Sequence, residues 1–328
     1  MNNNNSICKK STNKINKRNT QHPLLINSTE NQDDDGFDEF ILDTFRFVGG
    51  RRYHNVSNSK YFLPNDLTEM DRLEKQHYLF RHIWKGNFSA PIREKLLQKE
   101  NCPCVLDVGC GPGTWVTDMA FEYPSAIFIG VDISPIFPSE QKKPENATFL
   151  QNMLDGLPFE DDTFDFVYQR SLASAISEDQ WKEDIIYELH RVTKPDGWIE
   201  LMEPEILSPK KNDAPNCHKF SRSLLNFLAT LGINGFISSQ LENILKSTKL
   251  FKNIKCEEIS TPIGQWGGRL GEMMCNDYIE NVEACKPALS QFMGISHEKF
   301  DSMLENIRVE VNQNRLYYKT RRFYAQKA

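Results

Sequence analysis

The stretch Val105-Leu106-Asp107-Val108-Gly109-Cys110-Gly111-Pro112-Gly113-Thr114-Trp115 constrains this chain more than any other. Val105, Leu106 and Val108 form a short apolar run, the pattern of a strand buried on both faces of a parallel sheet. Glycine then stands at every second position, as Gly109, Gly111 and Gly113. Glycine takes positive φ freely and lets another group approach the backbone where a Cβ would intrude. A helix starting near Thr114 points its unpaired N–H groups back over that turn. Alone, such a turn also suits an ordinary tight strand–helix connection. Its spacing differs from the G-x-G-x-x-G of nicotinamide-binding turns, whose last interval is longer.

Past the turn, strands and helices alternate. Thr114 to Glu122 reads as a helix, Ala126 to Val131 as a strand ending in Asp132, and Thr148 to Gln151 and Phe164 to Tyr168 as further strands. Ser177 and Gln180 make a capping box for a helix whose apolar positions are Trp181, Ile185, Ile186, Leu189 and Val192. Pro195-Asp196-Gly197 is expected to stop that helix and launch a strand from Trp198 to Met202. Later helices are expected around Ser221 to Leu231, Gln240 to Ser247, Leu270 to Ala284 and Glu298 to Asn312, with strands near Ile254 to Ile259 and Arg315 to Tyr324. This alternation implies a parallel sheet with right-handed crossovers. Upstream, Asp66 and Glu69 suit a capping-box-like start. Leu67, Met70, Leu73, His77, Phe80 and Trp84 then recur at helical spacing, predicting one apolar face near the sheet edge. Pro91 to Leu97 reads as a second helical piece.

The net charge of −6 over 328 residues argues against a general nucleic-acid binder. Eight cysteines occur without a C-x-x-C pair; Cys102 and Cys104 flank one proline and Cys217 precedes His218, so no metal site is expected. Reduced thiols point to an intracellular protein. No apolar run nears the length of a membrane span, and Leu24-Leu25-Ile26 is too short for a secretory signal, so no membrane is expected as partner. Residues 1–44 are Asn-rich and then charged, first basic (Lys9, Lys10, Lys14, Lys17, Arg18) and then acidic, and read as a disordered tail. Its basic half leaves a nuclear location open beside a cytoplasmic one.

The D-x-G-x-G-x-G form of Asp107 to Gly113 resembles motif I of the class I S-adenosylmethionine (SAM)-dependent methyltransferases. Gly130-Val131-Asp132, the run from Leu157-Pro158-Phe159 to Phe164-Asp165-Phe166, and Lys194-Pro195-Asp196-Gly197-Trp198 carry the same resemblance. Arg51-Arg52-Tyr53-His54 and the block Tyr61 to Asp66 are more specific, and resemble the fungal methyltransferases grouped with velvet-associated regulators of secondary metabolism. The resemblance implies an α/β fold: a doubly wound, Rossmann-like seven-stranded sheet, mostly parallel with its last strand antiparallel, bearing helical lid insertions. Residues 45–328 then form one methyltransferase domain, with cofactor-covering helices at 45–100 and a substrate lid at 205–248 and 260–312.

The same resemblance implies SAM as cofactor. Gly109, Cys110, Gly111 and Gly113 would border it beside Asp107, and Asp132, followed by Ile133, would accept the ribose hydroxyls. Asn152 would read the adenine amino group and Met153 pack on its ring. Gln169 and Arg170 close the fourth strand of the series at the crevice, Arg170 meeting either the methionine carboxylate or a substrate acid, unless it forms a surface ion pair. Glu203, at the end of the next strand, is the candidate general base, with a strand-end cap as its alternative role. Tyr53, His54 and Trp266 are lid candidates by analogy alone, and His190 is expected to be structural.

No N-P-P-Y-like turn follows the fourth strand, where Gln169-Arg170-Ser171-Leu172 stands. Pro103-Cys104 lies ahead of the first strand rather than there, so DNA is not an expected acceptor. The favoured reading is methyl transfer from SAM to an unidentified small-molecule or protein acceptor. Its rivals are a non-catalytic SAM-binding regulator acting through a protein partner and a nicotinamide oxidoreductase.

Overall fold

The computed structural model describes residues 44–57, 59–152 and 156–328. The expected tail, apart from Thr44, and Met153 lie outside the described residues.

A β-hairpin opens the described chain, β1 (Phe45–Val48) pairing antiparallel with β2 (Arg51–His54) across Gly49-Gly50. Helices α1 (Leu67–Ile83) and α2 (Arg93–Leu96) follow. The central unit is β3 (Cys104–Val108), α3 (Thr114–Glu122), β4 (Ile127–Asp132), β5 (Ala147–Gln151) and β6 (Phe164–Arg170). A helical stretch comes next: α4 (Glu178–Gln180) passes through a π-helical turn at Trp181–Ile185 into α5 (Ile186–Val192). The chain ends with β7 (Thr193–Pro204), α6 (Pro215–Thr230), α7 (Leu241–Thr248), β8 (Phe251–Pro262), α8 (Gly268–Ala284), α9 (Lys286–Met293), α10 (His297–Gln313) and β9 (Tyr317–Lys327).

Seven strands form one sheet in the order β5-β4-β3-β6-β7-β9-β8. Neighbours run parallel except around β9, the last strand, which is antiparallel to both β7 and β8. The sheet thus has the architecture that the motifs imply. Chain direction across it reverses between β3 and β6, so a crevice opens at their carboxyl ends. Alternation on β3 sends Val105 to one apolar core and Cys104, Leu106 and Val108 to the other. In the first core Trp115 stacks flat on Tyr168, with ring centroids 4.1 Å apart.

Three local features differ from the sequence reading or lie outside it. The face that α1 buries is not an apolar stripe. It carries Glu69, Arg72, Gln76 and His77 beside Leu79 and Phe80, while Leu67 is 72% exposed. Buried polar groups survive there because they pair: Arg72 binds Glu69 through Nε and Nη2 (2.9 and 2.6 Å) and reaches Asp277 of α8 at 3.2 Å. Asp66 does cap α1 by accepting from Glu69 N–H, but the Glu69 carboxylate goes to Arg72 instead of closing a capping box. Second, Pro195-Asp196-Gly197 does not separate helix from strand. β7 already begins at Thr193, and Asp196 is taken up in an irregular stretch at φ 59°. Third, the hairpin and α9 carry no periodic signal long enough to read from sequence.

The segments 205–248 and 260–312 divide their work. α6 packs with α9 and α10, and α8 packs on α1, whereas Leu241, Ile244 and Leu245 of α7 join the core on the opposite sheet face.

The loop between α1 and α2 is tied to the sheet by a buried pair. Glu200 accepts from the N–H groups of Ser89 and Ala90 (both 2.7 Å) and lies 3.4 Å from Arg322 Nε. Arg322 also covers the Trp84 ring at 4.7 Å and donates to the Gly86 carbonyl. Glu200→Ala leaves a buried guanidinium and two N–H groups without that partner. It should cost about 3–5 kcal/mol in urea unfolding; a loss below about 1 kcal/mol would show the pair to be idle.

Candidate active site

The glycine turn is pinned to the end of β4. The N–H groups of Gly109 and Cys110 both donate to the Val131 carbonyl (2.8 and 3.0 Å), and Gly111 N–H donates to Asp132 Oδ2 at 2.8 Å. Asp132 Oδ1 accepts from Ser134 N–H at 2.8 Å. Gly111 has φ 54°, and a Cβ built there would meet nothing nearer than Leu73 Cδ1 at 3.9 Å. Bare backbone therefore faces open space. Gly113 differs: its missing Cβ lets the Phe149 ring pack against the turn.

That space is a cleft of about 1300 Å³, including its open mouth. Asp107, Gly109, Cys110, Gly111, Asp132 and Ile133 line one side, and Arg170, Ser171 and Leu172 close one end. Tyr61, Asn65, Leu73 and Gln76 face them from the N-terminal segment. The π-helical turn brings Ile185 to the wall beside Gln180.

The two upstream sequence blocks meet here. Arg51 pairs with Asp66, and Arg52 Nε donates to Asn65 Oδ1 at 3.1 Å. Asn65 Nδ2 in turn donates to Ser134 Oγ at 3.1 Å, next to Asp132. The hairpin thus clamps the Tyr61–Asp66 segment over the cleft. Tyr53 and His54 are buried beneath it, with His54 Nε2 2.9 Å from the Tyr61 carbonyl. Trp266 lies elsewhere, bonded to the Ile263 carbonyl, and His190 packs edge-on against Phe251.

Charge in the cleft is unevenly matched. Burial raises the Asp107 carboxyl to about 7, opposed by Arg170 and reinforced by Asp132. Burial also raises Asp132, while backbone donors from Ser134 and Gly111 pull it down. Arg170 has no carboxylate within ion-pair distance among the described residues. Its Nη atoms lie 3.3 and 3.4 Å from His77 Nδ1, and His77 Nε2 lies 3.0 Å from Asp118 Oδ2. Arg170 donates, so Nδ1 accepts and Nε2 carries the proton toward Asp118.

Not every expected residue reaches the wall. Gln169 is fully buried with neither amide atom hydrogen-bonded, and it does not line the cleft. Asn152 donates to the Gly156 carbonyl at 2.8 Å and also stands off the wall. Glu203 has no exposed surface; its oxygens accept from Leu172 and Ala173 N–H (2.9 and 3.0 Å), and burial raises it to about 8. Tyr61, Leu73, Gln76 and Ile185 were not identified individually as site residues, although Tyr61 sits in a flagged block and Leu73 on the flagged helix.

Comparisons with known proteins identify the family. A family described as "Methyltransferase domain" matches residues 105–197. The N-methyltransferase sirN of Leptosphaeria maculans is 31% identical, over 67% of this chain and 76% of its own. This chain belongs to the class I SAM-dependent methyltransferases. The methyltransferase pytC of Aspergillus terreus is 26% identical to it, over 83% of this chain and 84% of pytC. The secondary metabolism regulator LAE1 of Cochliobolus heterostrophus is 32% identical, over 50% of this methyltransferase and 52% of LAE1. Among the described residues, no His/Cys/Asp/Glu group could hold a metal ion and no helix is long and apolar enough to cross a membrane.

His77 gives the methyltransferase a signature in pH. Burial first, then the Arg170 charge, lower it to about 4 against a partial pull from Asp118. The unfolded imidazole takes its proton near the ordinary value of about 6.5. Stability tied to His77 is therefore complete above that value and lost as pH falls toward 4. Between pH 7 and 4.5, the parent should lose about 2–3 kcal/mol more than His77→Gln in urea unfolding. Equal losses in both would contradict a neutral buried His77.

Proposed function

We propose that the cleft holds SAM and that the protein transfers its methyl group to an acceptor entering from the adjoining space. Arg170 takes the methionine carboxylate, Asp107 the α-ammonium and Asp132 the ribose hydroxyls. Gly109, Cys110 and Gly111 border them, while Gly113, covered by the Phe149 ring, is left out. Ile133 packs against the adenine, with Asn152 toward its edge; Gln169, buried behind the wall, is left out of this assignment.

One observation carries the reading: an unpaired guanidinium and two carboxyls line the same cleft as a glycine whose missing Cβ opens into it. That set complements a zwitterionic amino acid joined to a diol. A dinucleotide pyrophosphate would instead have to sit between two carboxyls, which disfavours the oxidoreductase.

When bound, SAM supplies an activated methyl: the acceptor's lone pair forms the new bond in line as the C–S bond breaks, the electron pair stays on sulfur, and the acceptor's proton passes to solvent. The protein's part is orientation, which can be worth roughly 7–11 kcal/mol in a bimolecular step. Glu203 contributes by bracing the turn after β6, its oxygens accepting from the Leu172 and Ala173 N–H groups, rather than by taking a proton. Similarity to LAE1 raises the alternative of a regulator that binds SAM without turning it over. Formation of S-adenosylhomocysteine above the uncatalysed background, with extracts of the source organism as acceptor, supports the enzyme. Its absence, with cofactor binding intact, supports the regulator.

Asp132→Ala removes two charge-assisted hydrogen bonds, each worth about 1.5–3 kcal/mol before water replaces part of the loss. Calorimetric affinity for S-adenosylhomocysteine should fall roughly 30- to 1000-fold, and less for Asp132→Asn, which keeps one acceptor oxygen. Parent-like affinity in the alanine variant would remove Asp132 from the site.

A further inference from the structure

Beside the cleft lies a second chamber of about 960 Å³, including its mouth. Tyr61, Leu73, Gln76 and Ser171 line both spaces, so the two adjoin at the end of β6. Much of the second wall is apolar: Phe220, Leu224 and Leu228 come from α6, and Phe62 and Leu63 from the clamped segment. The far side is α8, with Tyr278 and Asn281, and Cys285 just past its end.

The charges on this wall are satisfied internally. Arg72 is its one cation, and its guanidinium is spent on Glu69 through two nitrogens and on Asp277 through the third. Asp277 also takes the Gln76 amide at 3.0 and 3.2 Å. Glu205 pairs with Arg321 at 2.7 Å, and Glu203 holds backbone N–H groups. What remains for an occupant is neutral: the hydroxyls of Ser171 and Ser174, the Asn281 amide and the phenols of Tyr278 and Tyr318. An anionic occupant would be desolvated with no counter-charge, which is costly in a low-dielectric site.

We propose that this chamber is the acceptor site, and that it takes an uncharged, largely apolar small molecule presenting an N–H or O–H nucleophile at the Ser171 junction. The proposal rests on SAM occupying the first cleft. It excludes carboxylates and phosphates as acceptors, and it excludes a protonated lysine of a protein substrate, because neither charge finds a free partner in the wall.

The test uses the full chain saturated with S-adenosylhomocysteine and three probes on one ring system: 2-naphthol, 2-naphthoate and protonated 2-naphthylmethylamine. Calorimetry should show 2-naphthol binding at least about tenfold tighter than either charged probe. Leu224→Arg places an unpaired cation in the apolar wall, away from the cofactor cleft. It should leave S-adenosylhomocysteine affinity unchanged and reverse the order of naphthol and naphthoate. Equal or tighter binding of a charged probe to the parent, or binding of none, would overturn the proposal. So would unchanged probe affinities in a folded Leu224→Arg protein. Failure of S-adenosylhomocysteine itself to bind would instead count against the cofactor reading, and is seen in the first titration before any probe is added.

Discussion

The attachment of the glycine turn to the end of β4 is the contact around which the site is built. Three successive N–H groups, of Gly109, Cys110 and Gly111, are taken by the Val131 carbonyl and the Asp132 carboxylate. Those bonds fix the turn with positive φ, expose its backbone to the cleft and hold Asp132 at the cleft edge. The same residues link the sheet to the N-terminal segment, because Ser134 binds both Asp132 and Asn65. Pinning the turn therefore also orients the Tyr61–Asp66 segment that covers it.

Helix α1 is the second organising element, and its buried face is unusual in being polar. Glu69, Arg72 and Gln76 join it to Asp277 of α8, while His77 joins it to Asp118 of α3 and to Arg170 of β6. The buried charges of that face, Glu69 and Arg72, are partnered, whereas Arg170 opposite meets only a neutral imidazole. Partnered charges make the second chamber electrically quiet, and the unpartnered one leaves a free guanidinium in the first cleft. One helix thereby borders two cavities of different chemistry.

The strand–turn–helix at Val105 to Trp115 was legible because it depends on local rules: an apolar run, alternating glycines and a helix start. Asp132 was legible for the same reason, as the residue ending an apolar strand. The polar face of α1 was not, because its Glu69, Arg72 and Gln76 become compatible with burial only through Asp277, some two hundred residues away. A period of 3.6 marks a face without saying whether it is satisfied by apolar packing or by distant charges. The π-helical turn hid inside a continuous helical pattern, since Ile185 and Ile186 both looked like core positions; one extra residue in that turn lets Ile185 line the cleft. Glu203 was placed correctly at a strand end. Its engagement by Leu172 and Ala173 could not be read from sequence, because it depends on how the turn after β6 folds back.

The central claim is that the bare backbone at Gly111 is where cofactor sits. Gly111→Val tests it most directly, because a Cβ there would meet no protein atom nearer than Leu73 Cδ1 at 3.9 Å, while the cofactor would compete for the same room. The strain of a branched residue at φ 54° is read separately, as lost stability in urea unfolding. Calorimetric titration with S-adenosylhomocysteine should show affinity reduced by about tenfold or more, from overpacking of about 1–3 kcal/mol. Circular dichroism should meanwhile report a retained fold. Parent-like affinity in a folded Gly111→Val protein would contradict the account, leaving the turn as an ordinary strand–helix connection.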